Sequence, residues 1–126
     1  MNSFSSPQRV VVLGASANPA RMSYQAVREL RDAGHEVIPV HPTVSSLHGA
    51  DVITSLADVE GKVDTLTLYV NATRSSGMEK DILDLEVDRV LFNPGTENPQ
   101  LTQKLESAGV ECLEACTLVM LRTGGF

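Results

Sequence analysis

Short apolar runs rich in β-branched residues alternate along the chain with amphipathic stretches. Five of these runs predict strands, at residues 9–13, 36–40, 64–70, 89–92 and 110–113. Several runs are apolar at successive positions, which is typical of strands that helices cover on both faces. Strands that alternate with helices predict a doubly wound parallel sheet. The pattern therefore places the chain in the α/β class, with about five strands.

Helical periodicity predicts two long helices in the first two thirds of the chain. The first covers about residues 23–33, with Ser23 as its N-cap and Gly34 directly after its last residue. The second covers roughly residues 74–86, where Ser76 stands at capping-box spacing from an acidic residue. Both helices connect predicted strands, as a parallel sheet requires.

The remaining third of the chain contains a third helix signal and one ambiguous apolar segment. Asn98 is a suitable N-cap, Pro99 suits the first helical position, and Gly109 suits the end of the helix. Residues 55–60 have room only for a short helix or turn. Residues 115–121 are too apolar to face water, so we expect them to pack back onto the sheet.

Length and composition indicate one domain with an aliphatic core. The chain has 126 residues, of which 42% are hydrophobic, but it has no Trp and only three Phe and two Tyr. We expect a single domain over residues 1–126, with a flexible N-terminal segment at 1–8. No run approaches the roughly 18 apolar residues of a membrane span, and the first residues do not resemble a signal peptide. A cytoplasmic location is expected.

The charge distribution favours a small anionic ligand over nucleic acid. A net charge of −6 argues against phosphate-backbone binding, which usually needs a basic surplus. The first 50 residues nevertheless carry four Arg against three acidic residues, whereas residues 51–126 carry six basic against thirteen acidic residues. A bound anion is therefore expected on the first half of the chain.

The cysteines and histidines suggest neither a metal site nor a catalytic centre. Cys112 and Cys116 lie four positions apart without His or Cys partners at metal spacing, so we expect free thiols in a reduced compartment. Cys112 is predicted to be inert inside a strand. His41 is interpreted as a polar residue at a strand end, and no catalytic residue is predicted. Binding is thus favoured over catalysis.

The loop after the first strand is the main candidate site. In a Rossmann-like sheet this turn, which begins at Gly14, lies at the carboxyl edge where ligands bind, and its amides and the following helix start suit a pyrophosphate. A dinucleotide fingerprint would have glycines where Ser16 and Pro19 stand. The second strand also ends in His41 instead of an acid that binds ribose. NAD is therefore disfavoured, and a P-loop is excluded because no Gly-Lys-Ser or Gly-Lys-Thr follows.

A set of residues around this loop and the strand ends resembles a known family. In the first half these are Gly14, Ala15, Ser16, Asn18, Pro19, Arg21, Ser23, Tyr24 and the strand Val37, Ile38, Pro39, Val40, His41, Pro42. In the second half they are Val70, Asn71, Asn93, Pro94, Gly95 and Cys116. The combination is similar to the small CoA-binding-domain proteins, relatives of the nucleotide-binding domain of the succinyl-CoA synthetase α-subunit. The resemblance covers residues 9–126 or nearly so.

The resemblance implies a site for coenzyme A at the carboxyl ends of the strands, with the pyrophosphate over the first loop and the adenosine near the second strand end. His41 and Asn71 depart from the family, which more often has Asn and Pro there. The predicted ligand contacts are Gly14, Ala15, Ser16, Arg21, Ser23, Val40, His41, Pro42, Val70, Asn71, Asn93, Pro94, Gly95 and Cys116.

The expected function is binding of coenzyme A or an acyl-CoA by a sensor, carrier or regulatory module that is a monomer or small homo-oligomer. The resemblance implies no reaction, because the catalytic histidine and partner subunit of the ligase relatives cannot be located in this chain. Two alternatives remain open. One is an NAD(P)-dependent oxidoreductase on the same fold, and the other is a thiol-redox protein that uses Cys116.

Overall fold

The computed structural model describes residues 6–43 and 46–126. In chain order its strands are β1 (Arg9–Leu13), β2 (Glu36–Val40), β3 (Ser46–Leu47), β4 (Ala50–Asp51), β5 (Thr65–Leu68), β6 (Arg89–Phe92) and β7 (Glu111–Glu114). Its helices are α1 (Met22–Asp32), α2 (Ala72–Gly77), α3 (Glu79–Asp84), α4 (Pro99–Ser107) and α5 (Thr117–Thr123), with a 3₁₀ turn at Leu56–Asp58.

The five predicted strands form one parallel sheet in the order β2-β1-β5-β6-β7. The fold is Rossmann-like, as the apolar runs predicted. After β2 the chain crosses to the other side of β1 and continues with β5, so the strand order reverses beside β1. In open α/β sheets, ligands bind outside the carboxyl ends of the strands at such a reversal. The topology therefore points to the loops after β1 and β5.

The core consists of two aliphatic layers, one on each face of the sheet. Alternate residues of β1 divide between them, because successive strand side chains point to opposite faces. Val11 and Leu13 pack in the larger layer with Ile82 of α3 and Leu105 of α4. The other layer includes Val10, Val12, Val27, Leu30 and partly buried Leu121 of α5.

Two predicted helix starts are wrong, for local reasons. The N-cap of α1 is Arg21, not Ser23, and no side chain caps this helix. Asn18 instead uses its side chain within the loop, where Oδ1 accepts the Ala20 amide at 3.0 Å. In the second predicted helix, the Asn71 side chain provides the cap, earlier than the Ser76 box.

The second predicted helix is also interrupted at Met78, whose backbone leaves helical geometry with φ −111° and ψ 13°. The sequence between β5 and β6 therefore forms α2 and α3. By contrast, α4 begins as predicted, since Asn98 accepts the Leu101 amide and Pro99 is the first helical residue. The short turn at Leu56–Asp58 is also confirmed.

The first described residues and the C-terminal segment are held against the sheet by specific contacts. The apolar C-terminal segment forms α5, and Leu118 is buried there as predicted. The flexible segment predicted for residues 1–8 lies largely outside the described residues, which begin at residue 6. Gln8 is bonded on both sides, since its amide donates to His35 Nδ1 and its carbonyl accepts the Glu36 amide. No helix in the described ranges is long and apolar enough to cross a membrane.

Candidate functional site

Gly14 lies at the carboxyl edge of the sheet, where the loop after β1 begins. Its φ is +89°, in the left-handed region that favours glycine. A Cβ at this position would lie 2.9 Å from Val70 Cγ1 and 3.1 Å from the carbonyl carbon of Tyr69. The loop after β1 therefore passes directly against the chain leaving β5, and only glycine permits this approach.

Some backbone amides of this loop already donate hydrogen bonds within the protein. The Gly14 and Ala15 amides both donate to the Val40 carbonyl at 3.2 Å, which joins the loop to the end of β2. The Ser16 hydroxyl accepts the Asn18 amide at 3.0 Å. The Ser16 and Ala17 amides have no acceptor among the described residues. These two amides, with the uncapped first turn of α1, are the donors that a pyrophosphate could use.

A pocket of about 180 Å³ opens between this loop, the end of β2 and the helices that follow β5. Its apolar lining comes mainly from Leu13, Val40, Leu56, Val70 and Met78. Gly14 and Pro42 also line the pocket, and its polar lining consists of Thr54, Ser55, Arg74 and Asp81. An apolar cavity with a few polar groups at its margin is the usual form of a small-molecule site.

Two arginines at this edge have no side-chain partner among the described residues. All ten basic side chains lie within the described residues, and eight of them make a hydrogen bond or ion pair. The two that make neither to a described residue are Arg21 and Arg74. Arg21 is exposed at the N-cap of α1, and Arg74 lines the pocket from the first turn of α2. In a protein of net charge −6, this leaves two unneutralised cations beside the glycine turn.

The loop after β6 has a structural role, because it connects neighbouring elements of the fold. Asn93 is 3% exposed. Its Nδ2 donates to Thr67 Oγ1 at 2.7 Å and to the Leu68 carbonyl at 2.8 Å, and its Oδ1 accepts the Thr117 amide at 2.9 Å. Asn93 therefore joins β5, β6 and the start of α5. The neighbouring Gly95 amide donates to the Glu97 carboxylate at 3.0 Å.

The two cysteines lie in different environments. Cys112 lies in β7 and packs against the larger core layer, and burial, reinforced by the charges of Glu106 and Glu111, raises its pKa to about 11. Cys116 is half-buried at the N-cap of α5, where the chain leaves the carboxyl end of β7. Cys116 therefore stands at the carboxyl edge of the sheet.

Tyr69 follows β5 at the same edge, and its side chain is partly buried. Its hydroxyl oxygen is buried near the side chains of Thr117 and Thr67. Burial is the main cause that raises the pKa of Tyr69 to about 12. The phenol is therefore neutral at physiological pH.

Comparison with known proteins identifies the family. A model of the CoA binding domain matches residues 8–122, almost the whole chain. The chain belongs to the CoA-binding-domain family. This confirms the resemblance that the glycine turn and the strand ends indicated, and it agrees with the Rossmann-like sheet.

Three known proteins are similar to this chain over different lengths. The chain is 28% identical over 102 residues to the uncharacterised protein YneT of Bacillus subtilis, covering 81% of this chain and 76% of YneT. A solved structure of an uncharacterised protein is 39% identical with a TM-score of 0.91, covering 97% of this chain and all of that one. An ADP-forming acetate–CoA ligase of Methanocaldococcus jannaschii is 27% identical over 64 residues, which is 51% of this chain and 9% of the ligase.

The structure places the fourteen predicted contacts of this CoA-binding domain in four groups. Those that line the pocket are Gly14, Val40, Pro42 and Val70. Those in loops or helix caps of the same edge are Ser16, Arg21, His41 and Asn71. Those with buried side chains are Ala15, Ser23 and Asn93. Those that follow β6 and β7 are Pro94, Gly95 and Cys116.

The sequence interpretation missed seven of the eleven residues that line the pocket. Its segment 54–56 is brought there by Ile53, which forms a parallel bridge with Val40 and exchanges backbone hydrogen bonds with Pro39 and His41. The β-branched residues Val52 and Ile53 were the available signal for this pairing. Arg74, Met78 and Asp81 had no comparable signal, because their position depends on the break between α2 and α3. No cluster of acidic, His or Cys side chains in the described residues could hold a metal ion.

Proposed function

We propose that this protein binds coenzyme A or an acyl-CoA at the carboxyl edge of its sheet, as a sensor, carrier or regulatory module in the cytoplasm. The observation that carries the proposal is the pair of arginines, Arg21 and Arg74, whose side chains have no partner in the part of the chain that the structure describes and which stand beside a glycine turn with donor amides. Cations that the protein does not neutralise, placed next to an uncapped helix start, favour a phosphorylated ligand.

The residues present fit the parts of coenzyme A in sequence along the edge. The apolar pocket suits the adenine base, and the loop from Gly14 to Arg21 suits the pyrophosphate. From there the edge runs past β5 and β6 to Cys116. We propose this path for the pantetheine arm, with the ligand thiol near the end of β7. The family match and the ligase relative support the same ligand.

A nicotinamide dinucleotide would lack the acidic residue that usually binds its ribose at this edge. The second strand ends in Val40, His41 and Pro42, so no carboxylate directly follows β2 to bind a ribose diol. His41 Nδ1 accepts the Thr43 amide at 3.0 Å, which occupies that ring nitrogen. We therefore propose coenzyme A in preference to NAD(P).

Replacing Arg21 tests the pyrophosphate contact. We expect Arg21→Ala to weaken coenzyme A binding by about 1.5–3 kcal/mol, or roughly ten- to a hundred-fold, because a hydrogen bond to a charged group is lost. The fold should persist, since Arg21 is exposed and makes no side-chain cap. Isothermal titration calorimetry measures the change.

Arg28→Ala is the matched control. Arg28 is exposed on α1 and pairs only with Glu29, at 3.9 Å, so this variant removes the same charge from the same helix away from its start. It should bind coenzyme A as the wild type does. Unchanged affinity in a folded Arg21→Ala protein would remove Arg21 from the site.

A further inference from the structure

The rim of the pocket carries a charge that the base and pyrophosphate of the proposed ligand do not explain. The apolar lining leaves room for a flat base, and Gly14, where the pyrophosphate loop begins, lines the same pocket. Only a ribose separates base and pyrophosphate in a nucleotide. A charged side chain at this rim is therefore placed to contact a substituent of the ribose.

Arg74 is that side chain. Asn71 Oδ1 accepts the Arg74 amide at 3.0 Å, so the start of α2 fixes the backbone from which the guanidinium projects. The guanidinium makes no hydrogen bond or ion pair with a described residue, although Asp81 lines the same pocket. The fold thus holds a cation at the pocket rim and leaves its five donors available to a ligand.

The remaining polar groups of the pocket differ from Arg74 in charge. Asp81 stands on α3, beyond the break at Met78, and would repel a phosphate. Thr54 and Ser55 add hydroxyl groups, although Ser55 Oγ already accepts the Ala57 amide at 3.3 Å. A phosphate in this pocket is therefore expected next to Arg74, and the exocyclic amine of a base next to Asp81.

We propose that Arg74 binds a phosphate on the ribose, so that the site selects adenine nucleotides with a 3′-phosphate over the same nucleotides without it. The proposal rests on the proposed function, because it assumes that the base lies in this pocket. Guanidinium and phosphate form bidentate pairs, which gives Arg74 a geometric advantage over a lysine. The consequence is discrimination between coenzyme A and dephospho-coenzyme A.

Calorimetry with four ligands and three proteins tests this selection. Wild-type protein should bind coenzyme A roughly ten- to a hundred-fold more tightly than dephospho-coenzyme A, and 3′,5′-ADP more tightly than 5′-ADP by a similar factor. Arg74→Ala should lose this preference and bind dephospho-coenzyme A as the wild type does. Lys80→Ala should keep the preference, since it removes an equal charge from α3 where the ammonium pairs with Asp84 at 2.7 Å.

The outcomes separate this proposal from the function on which it rests. Equal affinity of the wild type for coenzyme A and dephospho-coenzyme A would overturn the role of Arg74 and leave the proposed function intact. A preference that persists in Arg74→Ala would also overturn it. Absence of binding by all four ligands would contradict the proposed function itself. Circular dichroism melting of Arg74→Ala, which should match the wild type because the side chain is exposed, confirms that the variant is folded.

Discussion

Gly14→Ala is expected to lower the free energy of unfolding by about 2–5 kcal/mol. The new Cβ would lie 2.9 Å from Val70 Cγ1 and 3.1 Å from the Tyr69 backbone, which cannot move without disturbing β5. A non-glycine residue at φ +89° adds the cost of the left-handed conformation. The effect on the site follows, because relieving the clash moves the loop away from the pocket.

Gly109→Ala separates the cost of the steric clash from the cost of the left-handed backbone conformation. Gly109 has φ +84°, but a Cβ there would meet no atom within 4 Å. This variant should lose only about 1–2 kcal/mol from backbone strain. Urea denaturation of both variants measures the difference, and equal losses would show that the close approach of Gly14 to β5 carries no extra cost.

Cys116 is expected to form a mixed disulfide with coenzyme A when the protein is incubated with coenzyme A disulfide. The Cys116 thiolate attacks one ligand sulfur, the ligand disulfide breaks, and one coenzyme A leaves as its thiolate. Cys116 lies at the carboxyl edge and is partly accessible. Cys112 has a pKa of about 11, so roughly one thiol in a thousand is ionised at pH 8, and it should remain unmodified.

Intact-protein mass spectrometry of serine variants distinguishes the two thiols. The adduct should persist in Cys112→Ser and disappear in Cys116→Ser. A missing adduct on folded wild type, or an adduct that maps to Cys112, would show that Cys116 does not face the ligand thiol. The thiol-redox alternative that uses Cys116 would then be contradicted.

The sheet and α4 were predictable because their signals are local. Three of the five strands, at 9–13, 36–40 and 89–92, have the predicted bounds, since consecutive apolar residues mark strands buried on both faces. The ends of the other two differ by one or two residues. Asn98 and Pro99 both favour a helix start in one position only, and the structure uses them there.

The details of the site depend on contacts that a linear pattern does not contain. The pair of two-residue strands β3 and β4 is too short to show periodicity, yet it precedes the segment that carries Thr54 into the pocket. Asn93 was predicted as a ligand contact, whereas its amide is satisfied by β5 and α5. The sequence does not reveal which basic side chains have partners. In the structure eight of the ten have one, whereas Arg21 and Arg74 have none among the described residues.

A thermal shift comparison of coenzyme A, NAD and NADP tests the central claim most directly. A ligand at about a hundred times its dissociation constant adds roughly 2.7 kcal/mol to stability, which corresponds to a rise in Tm of roughly 10 °C for a domain of this size. The account predicts that coenzyme A gives a rise of this order and that NAD and NADP give little. Equal or larger stabilisation by NAD or NADP would contradict it.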